Sequence, residues 1–222
     1  MSTGHPPPLS ATARTSLGRK RDRGRTDRAE LHAVLDEGRV CHLGVVVDGA
    51  PRVLPTAYGR DGDTLYLHGS SGASSLLAAP TGEICVTVTH LDALVLARSA
   101  NNHSMNYRSA MIYGVPRRVT DDAEKLHGLR AVVEHITPGR WDVIRAPNRK
   151  ELASTAVLAL SLDEASVKMR GGQVVDEPED YALDVWAGLV PVHQTYGVPV
   201  PDPALRPGLP VPGHILATFP TG

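Results

Sequence analysis

Three polar constellations in the chain combine residue types that hold a ligand, and they lie in separate stretches of sequence. The first is Arg52-Val53-Leu54-Pro55-Thr56-Ala57. Pro55 has no N–H and cannot complete an interior ladder, so its strand is interrupted or lies at an edge. Backbone groups around Val53, Leu54, Pro55 and Thr56 are then free to meet a planar ligand, although an edge strand with no ligand fits the same residues. The second is His68-Gly69-Ser70-Ser71-Gly72-Ala73-Ser74-Ser75, a strand end running into a helix. Its glycines permit close backbone approach, its hydroxyls donate, and a helix N-terminus suits phosphate. On composition alone it is an ordinary loop. The third holds His103, Asn106, Tyr107, Arg108 and Ser109. The planar fork of Arg108 binds oxyanions bidentately, while Asn106 and Ser109 suit the polar edge of a ring or sugar. The same residues also make a polar turn entering a strand.

Other chemistries find less support. The chain has ten histidines, yet His127 and His135 are eight apart on one helix and no carboxylate–histidine cluster has ligand spacing. They read as surface or capping groups, and no metal site is expected. No GxSxG elbow, P-loop or dinucleotide fingerprint is present. Cys41 and Cys85 each sit in an apolar run and read as core thiols rather than a disulfide or metal pair. No residue offers itself as an essential acid or base. The catalytic residues therefore stay unassigned, which suits a site where a cofactor carries the chemistry.

Short strands must position these groups. Val40–Val47, ended by Asp48-Gly49, starts a hairpin continued by Arg52–Tyr58, and Thr64–His68 follows a second turn at 60–63. Ile84–Thr89, Ala93–Ser99, Tyr107–Val115, Ala156–Leu162 and Ala165–Arg170 read as further strands. Helices are predicted from Thr26 or Asp27 to Gly38, over Asp121–Ile136 with Asp121 as cap, and over Glu179–Leu189. Many short strands with few helices argue a mainly β chain and a barrel rather than a doubly wound sheet. Residues 1–25 read as a flexible basic leader, 26–195 as the folded domain and 196–222 as a Pro-rich tail.

The net charge of −1 gives no general attraction to nucleic acid or membrane, although residues 14–28 carry seven basic and two acidic side chains. That run is either a solvated tail or a contact for an anionic partner. No apolar stretch approaches the ~20 residues of a membrane span, and the N-terminus lacks the apolar core of a secretory signal. A cytoplasmic location is expected. With one Phe and two Trp, the core must come from Val, Leu, Ile and Ala.

In order along the chain, VCHLGVVVDGAPRVLPTAYGRDGDTLYLHGSS (40–71), LVLARSANNHSMNYRSAMIYG (94–114), residues 139–158 and 166–191 ending in EDYALDVWAGLVP resemble one family. It is the pyridoxamine-phosphate-oxidase-like flavin-nucleotide-binding family, which includes nitroimidazole-resistance proteins. The resemblance covers roughly residues 25–195 and implies a split β-barrel that dimerises and holds FMN at the subunit boundary. It assigns Val53, Leu54, Pro55, Thr56, His68, Gly69, Ser70, Ser71, Ser74, Asn106, Tyr107, Arg108 and Ser109 to the FMN site, and implies a homodimeric FMN-dependent oxidoreductase acting on a small organic substrate. The family commonly carries a basic residue in the serine loop where this chain has Ser75. Trp186 either covers a cofactor face or belongs to the core, and is not taken as a site residue. The rival expectation is a non-catalytic protein that binds flavin or haem; His68, His90 or His103 could serve as axial ligand, and spacing selects none of them.

Overall fold

The computed structural model describes residues 8, 9 and 12–220. Its elements begin where local chemistry starts them. A short β1 (Gly24–Arg25) leads to α1 (Arg28–Glu37), capped by Asp27, whose carboxylate accepts from the Ala29 N–H. Strands β2 (Cys41–Val47) and β3 (Ala50–Thr56) turn through Asp48 and Gly49, at φ 52° and 76°. Two successive left-handed residues match the twist of a hairpin, which is why Asp-Gly stands there. Strands β4 (Tyr58–Asp61) and β5 (Thr64–Ser70) turn at Gly62, also at positive φ. Next come α2 (Ser74–Ala78), the long pair β6 (Ile84–Leu96) and β7 (Ser104–Gly114), and β8 (Arg117–Arg118). Asp121 caps α3 (Asp122–Ile136) by accepting from Glu124 at 2.8 Å, and Asn148 with Glu151 boxes the start of α4 (Arg149–Ser154). The chain ends through β9 (Thr155–Ser161), β10 (Ala165–Arg170), β11 (Gly188–Pro191) and α5 (Gly213–Thr218).

The strands form two antiparallel sheets, a split β-barrel. The larger runs β1-β10-β7-β6-β2-β3 with β11 added beside β6, and the smaller runs β4-β5-β9-β8. Leu43, Val86, Val88, Ala110, Ile112 and Val167 of the first sheet meet Leu65, Leu67, Leu158 and Leu160 of the second. Leu31, Val34 and Leu35 of α1 and Leu76 of α2 close this core. The other face of the small sheet carries α3, packed through Tyr66, Val119, Val132, Val157 and Ala159. The buried Tyr58 hydroxyl reaches the carbonyls of Leu35 (2.5 Å) and Gly38 (3.1 Å) where α1 ends, joining the two layers.

Four expectations change. The strands at 84–89 and 93–99 are one strand, β6, with a bulge between Leu91 and Ala93. Residues 179–189 do not form a helix. Pro178–Ala182 is a single 3-10 turn, and Gly188–Pro191 pairs with Leu96–Ala93, because the open edge of β6 supplies the backbone partners a helix would supply itself. The leader is docked rather than loose over residues 12–25. Thr12 donates to Glu164 at 2.6 Å, Arg14 bridges Glu83 (2.7 Å) and Glu164 (2.6 Å), and β1 pairs with β10. Its first seven residues, with 10 and 11, lie outside the described residues. Finally, the Pro-rich tail contains α5.

Candidate functional site

The outward face of the large sheet sets the geometry. Alternation in β2 turns Cys41, Leu43, Val45 and Val47 inward and leaves His42, Gly44 and Val46 outward. Across the ladders, Val53, Gly44, Cys85 and Tyr113 form one cross-strand row. Gly44 has no side chain, so the row is a shallow floor between Val53 and Cys85, and a Cβ there would stand 3.3 Å from the Cys85 carbonyl. A cleft of about 270 Å³ follows it, lined by Val46, Pro51, Arg52, Val53, Cys85 and Tyr113, with Arg14 and Glu83 at one end. β3 is the terminal strand of the sheet, as Pro55 requires, and Val53 is 69% exposed.

The serine loop meets the same edge strand from its other side: no residue of 68–75 lines the cleft, and Arg52 stands opposite the inward Val45 whereas Val53 stands opposite the outward Gly44. Arg52 Nη1 is 3.5 Å from Ser74 Oγ, which brings a guanidinium from β3 to the start of α2. Arg52 belongs to the first constellation but sequence reasoning gave it no role. Within the loop Ser70 Oγ accepts from Gly72 N–H at 3.3 Å, and Ser71 N–H donates to the Ser154 carbonyl at 2.9 Å. Gly69 lets Leu76 pack at the strand end, since a Cβ would sit 2.6 Å from the leucine. Ala73, the N-cap of α2, offers no side-chain cap, and α2 has only five residues, so its dipole adds little. The hydroxyls and Arg52 are the stronger donors. His68, one residue earlier, has a buried Nδ1 with no partner, and burial lowers its pKa. His68 stands opposite Val157, so it faces the α3 side of the small sheet with Tyr66 rather than the barrel core, and its nitrogen is not part of the cleft.

The model of the pyridoxamine 5'-phosphate oxidase family matches residues 27–169, more than half of the chain. The chain belongs to that family. Among solved structures it is similar to the flavocytochrome Anf3 from Azotobacter vinelandii, with 40% identity, TM-score 0.90, 97% of this chain and 100% of that one covered. It is also similar to the FAD and haem binding protein from Mycobacterium smegmatis, with 38% identity, TM-score 0.84, and 89% and 97% covered. A candidate 5-nitroimidazole antibiotic resistance protein from Bacteroides thetaiotaomicron shares the fold, at 23% identity and TM-score 0.56 over 65% of this chain and 85% of that one. No curated protein matches the chain.

In this family member the third constellation does not join the serine loop. Leu54 points to the core and Thr56 Oγ1 turns to the Ala57 carbonyl, but both stay on β3 with Val53 and Pro55. Arg108 is on β7, and β6 and β2 separate β7 from β3. Three strand spacings make this about 14 Å. Its guanidinium is already engaged: Nη2 reaches Glu37 and Asp92 at 2.8 Å, Nε reaches Asp92 at 3.2 Å, and Nη1 also bonds Glu37. The fork was assigned to phosphate from residue type, and protein carboxylates occupy it instead. Asn106 is buried and braces the 170–172 turn, donating to the Gly172 carbonyl at 3.0 Å and accepting from Arg170 at 2.5 Å. Ser109 donates to the Lys168 carbonyl at 3.2 Å. Tyr107 stands opposite Leu91, on the same outward face as Val53.

Arg108→Ala should therefore leave flavin affinity unchanged and lower stability by about 1 kcal/mol, since Glu37 is half exposed and water screens the pair. The donated hydrogen bonds of Arg108 hold the Glu37 carboxyl below its usual range against the opposing effect of burial. A folded pKa lowered in this way stabilises above the unfolded carboxylate value of about 4.3 and is lost as pH falls through the folded value. Denaturant melts of wild type and variant should differ at neutral pH and converge in acid. A gap that persists in acid would locate the effect in packing of the side-chain stem.

Proposed function

We propose that this protein binds a flavin nucleotide at the edge strand β3, with its ring in the outward cleft and its phosphate toward Arg52 and the serine loop, also binds haem, and works as a redox protein in which the cofactors carry the chemistry. The observation that carries this is likeness at 40% and 38% identity, over 97% and 89% of the chain, to a flavocytochrome and to an FAD and haem binding protein. The local chemistry supports it: an apolar floor for a planar ring, and hydroxyls and Arg52 for phosphate. Flavin supplies a centre that exchanges electrons singly or in pairs. The chain's own residues supply position. Glu83, the carboxylate at the cleft, is held below its usual range by hydrogen bonds from Arg14. A small organic substrate at the exposed ring face belongs to the same proposal.

FAD is favoured over FMN. A lone phosphate would meet Ser75 where the family commonly has a cation, whereas a diphosphate and adenosine add contacts beyond the loop. The outward face supports a homodimer, because Val46, Val53, Leu91 and Met111 leave an apolar surface open that a two-fold partner would cover. Two free cysteines suit a reducing cytoplasm; among the described residues no helix is long and apolar enough to cross a membrane. Absorption spectra of the purified or reconstituted protein should show flavin bands and a Soret band, with about one of each cofactor per subunit. Chromatography of the released flavin should identify FAD, and light scattering should give a dimer. A colourless protein that ignores both flavin and hemin overturns the proposal.

A further inference from the structure

Five described histidines make a ring hydrogen bond to protein, and four of them use Nε2. His32 and His127 place Nε2 on Asp63 and Asp61, and His90 and His135 place it on the carbonyls of Val34 and Gly38. His103 is the exception. Its Nδ1 lies 2.8 Å from the Ser99 carbonyl, which only accepts, so Nδ1 carries the proton. Nε2 is left with a lone pair, on an exposed side chain at the tip of the β6–β7 hairpin. A backbone carbonyl holding one ring nitrogen so that the other can bind a metal is how iron-ligating histidines are oriented.

The surface beside it is apolar and flat. The bulge at Asp92 shifts the alternation of β6, so that Leu94 continues the outward face begun by Leu91. Val190, Leu94 and Met105 are direct cross-strand neighbours on β11, β6 and β7, and they are 42%, 42% and 49% exposed. One row nearer the tip, Gly188 faces Leu96, with the Trp186 ring standing against the glycine as an end wall. The opposite end is cationic. Arg170, paired with Tyr107 across β7–β10, donates to Asn106 Oδ1 and the Met105 carbonyl and has no carboxylate partner among the described residues. From His103 to Tyr107 is four residues of strand, roughly 13 Å. Both Arg170 and β11 lie past residue 169, where the family match ends.

We propose that His103 Nε2 is an axial ligand of haem laid on the Val190–Leu94–Met105 surface, with Arg170 as a partner for a propionate. This rests on the haem part of the proposed function. Hemin titration of the full-length flavin-loaded protein, followed by absorption, tests it. His103→Gly should weaken hemin binding by at least the roughly 10- to 100-fold that loss of an outer-shell partner costs at metal sites, with flavin content unchanged. Added imidazole should restore the wild-type Soret band. Arg170→Gln should weaken hemin binding roughly fivefold, as expected for a screened ion pair, without moving the band. Met105→Asp, which leaves His103 in place, should also weaken uptake by charging the surface. His193→Ala, at a histidine just past the end of β11, should bind as wild type. If wild type takes up hemin and His103→Gly keeps the same spectrum and affinity, the ligand assignment is overturned while the haem reading stands. A flavin-loaded wild type that takes up no hemin overturns both.

Discussion

Arg52→Glu should weaken binding of a flavin nucleotide about 10- to 100-fold and leave riboflavin binding unchanged. Arg52 is the cation that meets the serine loop, 3.5 Å from Ser74 Oγ, and among the described residues no carboxylate pairs with it. Its exposure sets the magnitude. Loss of a screened phosphate contact costs about 1 kcal/mol, and reversal of the charge adds repulsion of similar size. Arg52→Ala should accordingly show about a fivefold loss, and both effects should shrink as ionic strength rises. Ser75→Arg, a second cation one residue after Ser74, should tighten FMN more than FAD, because the shorter ligand depends more on this one contact. Titrations of FAD, FMN and riboflavin at two salt concentrations separate these effects. Equal losses for riboflavin and FAD in Arg52→Glu would mean that the loop does not face the phosphate, and Ser70, Ser71 and Ser74 would leave the site with it.

What could be read before the structure was local. Asp48-Gly49, the Asp121 cap and the edge position implied by Pro55 each depend on a few adjacent residues, and each is found. Side-chain partnerships across the barrel were not legible. Arg108 has the right fork for phosphate, but Glu37 lies 71 residues away in sequence and no local pattern announces it. Arg52 meets Ser74 across 22 residues because two sheets close on each other. The leader's docking is longer-ranged still, through Arg14 and Glu164, 150 residues apart. The apolar spacing of residues 179–189 failed for a related reason: Gly188–Pro191 completes an open edge that the sequence does not display.

Gly59→Ala should be among the most damaging single-methyl changes in the chain, lowering stability by about 3 kcal/mol. Gly59 lies in β4 beneath α3, and its absent side chain is what lets the helix backbone touch the sheet. A Cβ there would sit 2.4 Å from the carbonyl carbon of Ala131 and from the nitrogen of Val132. Those atoms belong to a hydrogen-bonded helix, so they cannot rotate aside as a side-chain tip can, and α3 must move as a body. Its last turn is pinned, however: His135 Nε2 donates to the Gly38 carbonyl at 2.6 Å, and its ring packs 4.5 Å from that of Tyr58. Movement of the helix therefore strains the end of α1 as well. At roughly 2–4 °C per kcal/mol for a chain of this size, the melting temperature should fall by about 6–12 °C. Gly82→Ala is the control, since a Cβ there meets nothing within 4 Å and φ is −164°, an extended value open to any residue. That variant should melt within a degree or two of wild type. If Gly59→Ala melts with it, α3 does not ride directly on β4, and the packing of the small sheet would need to be redrawn.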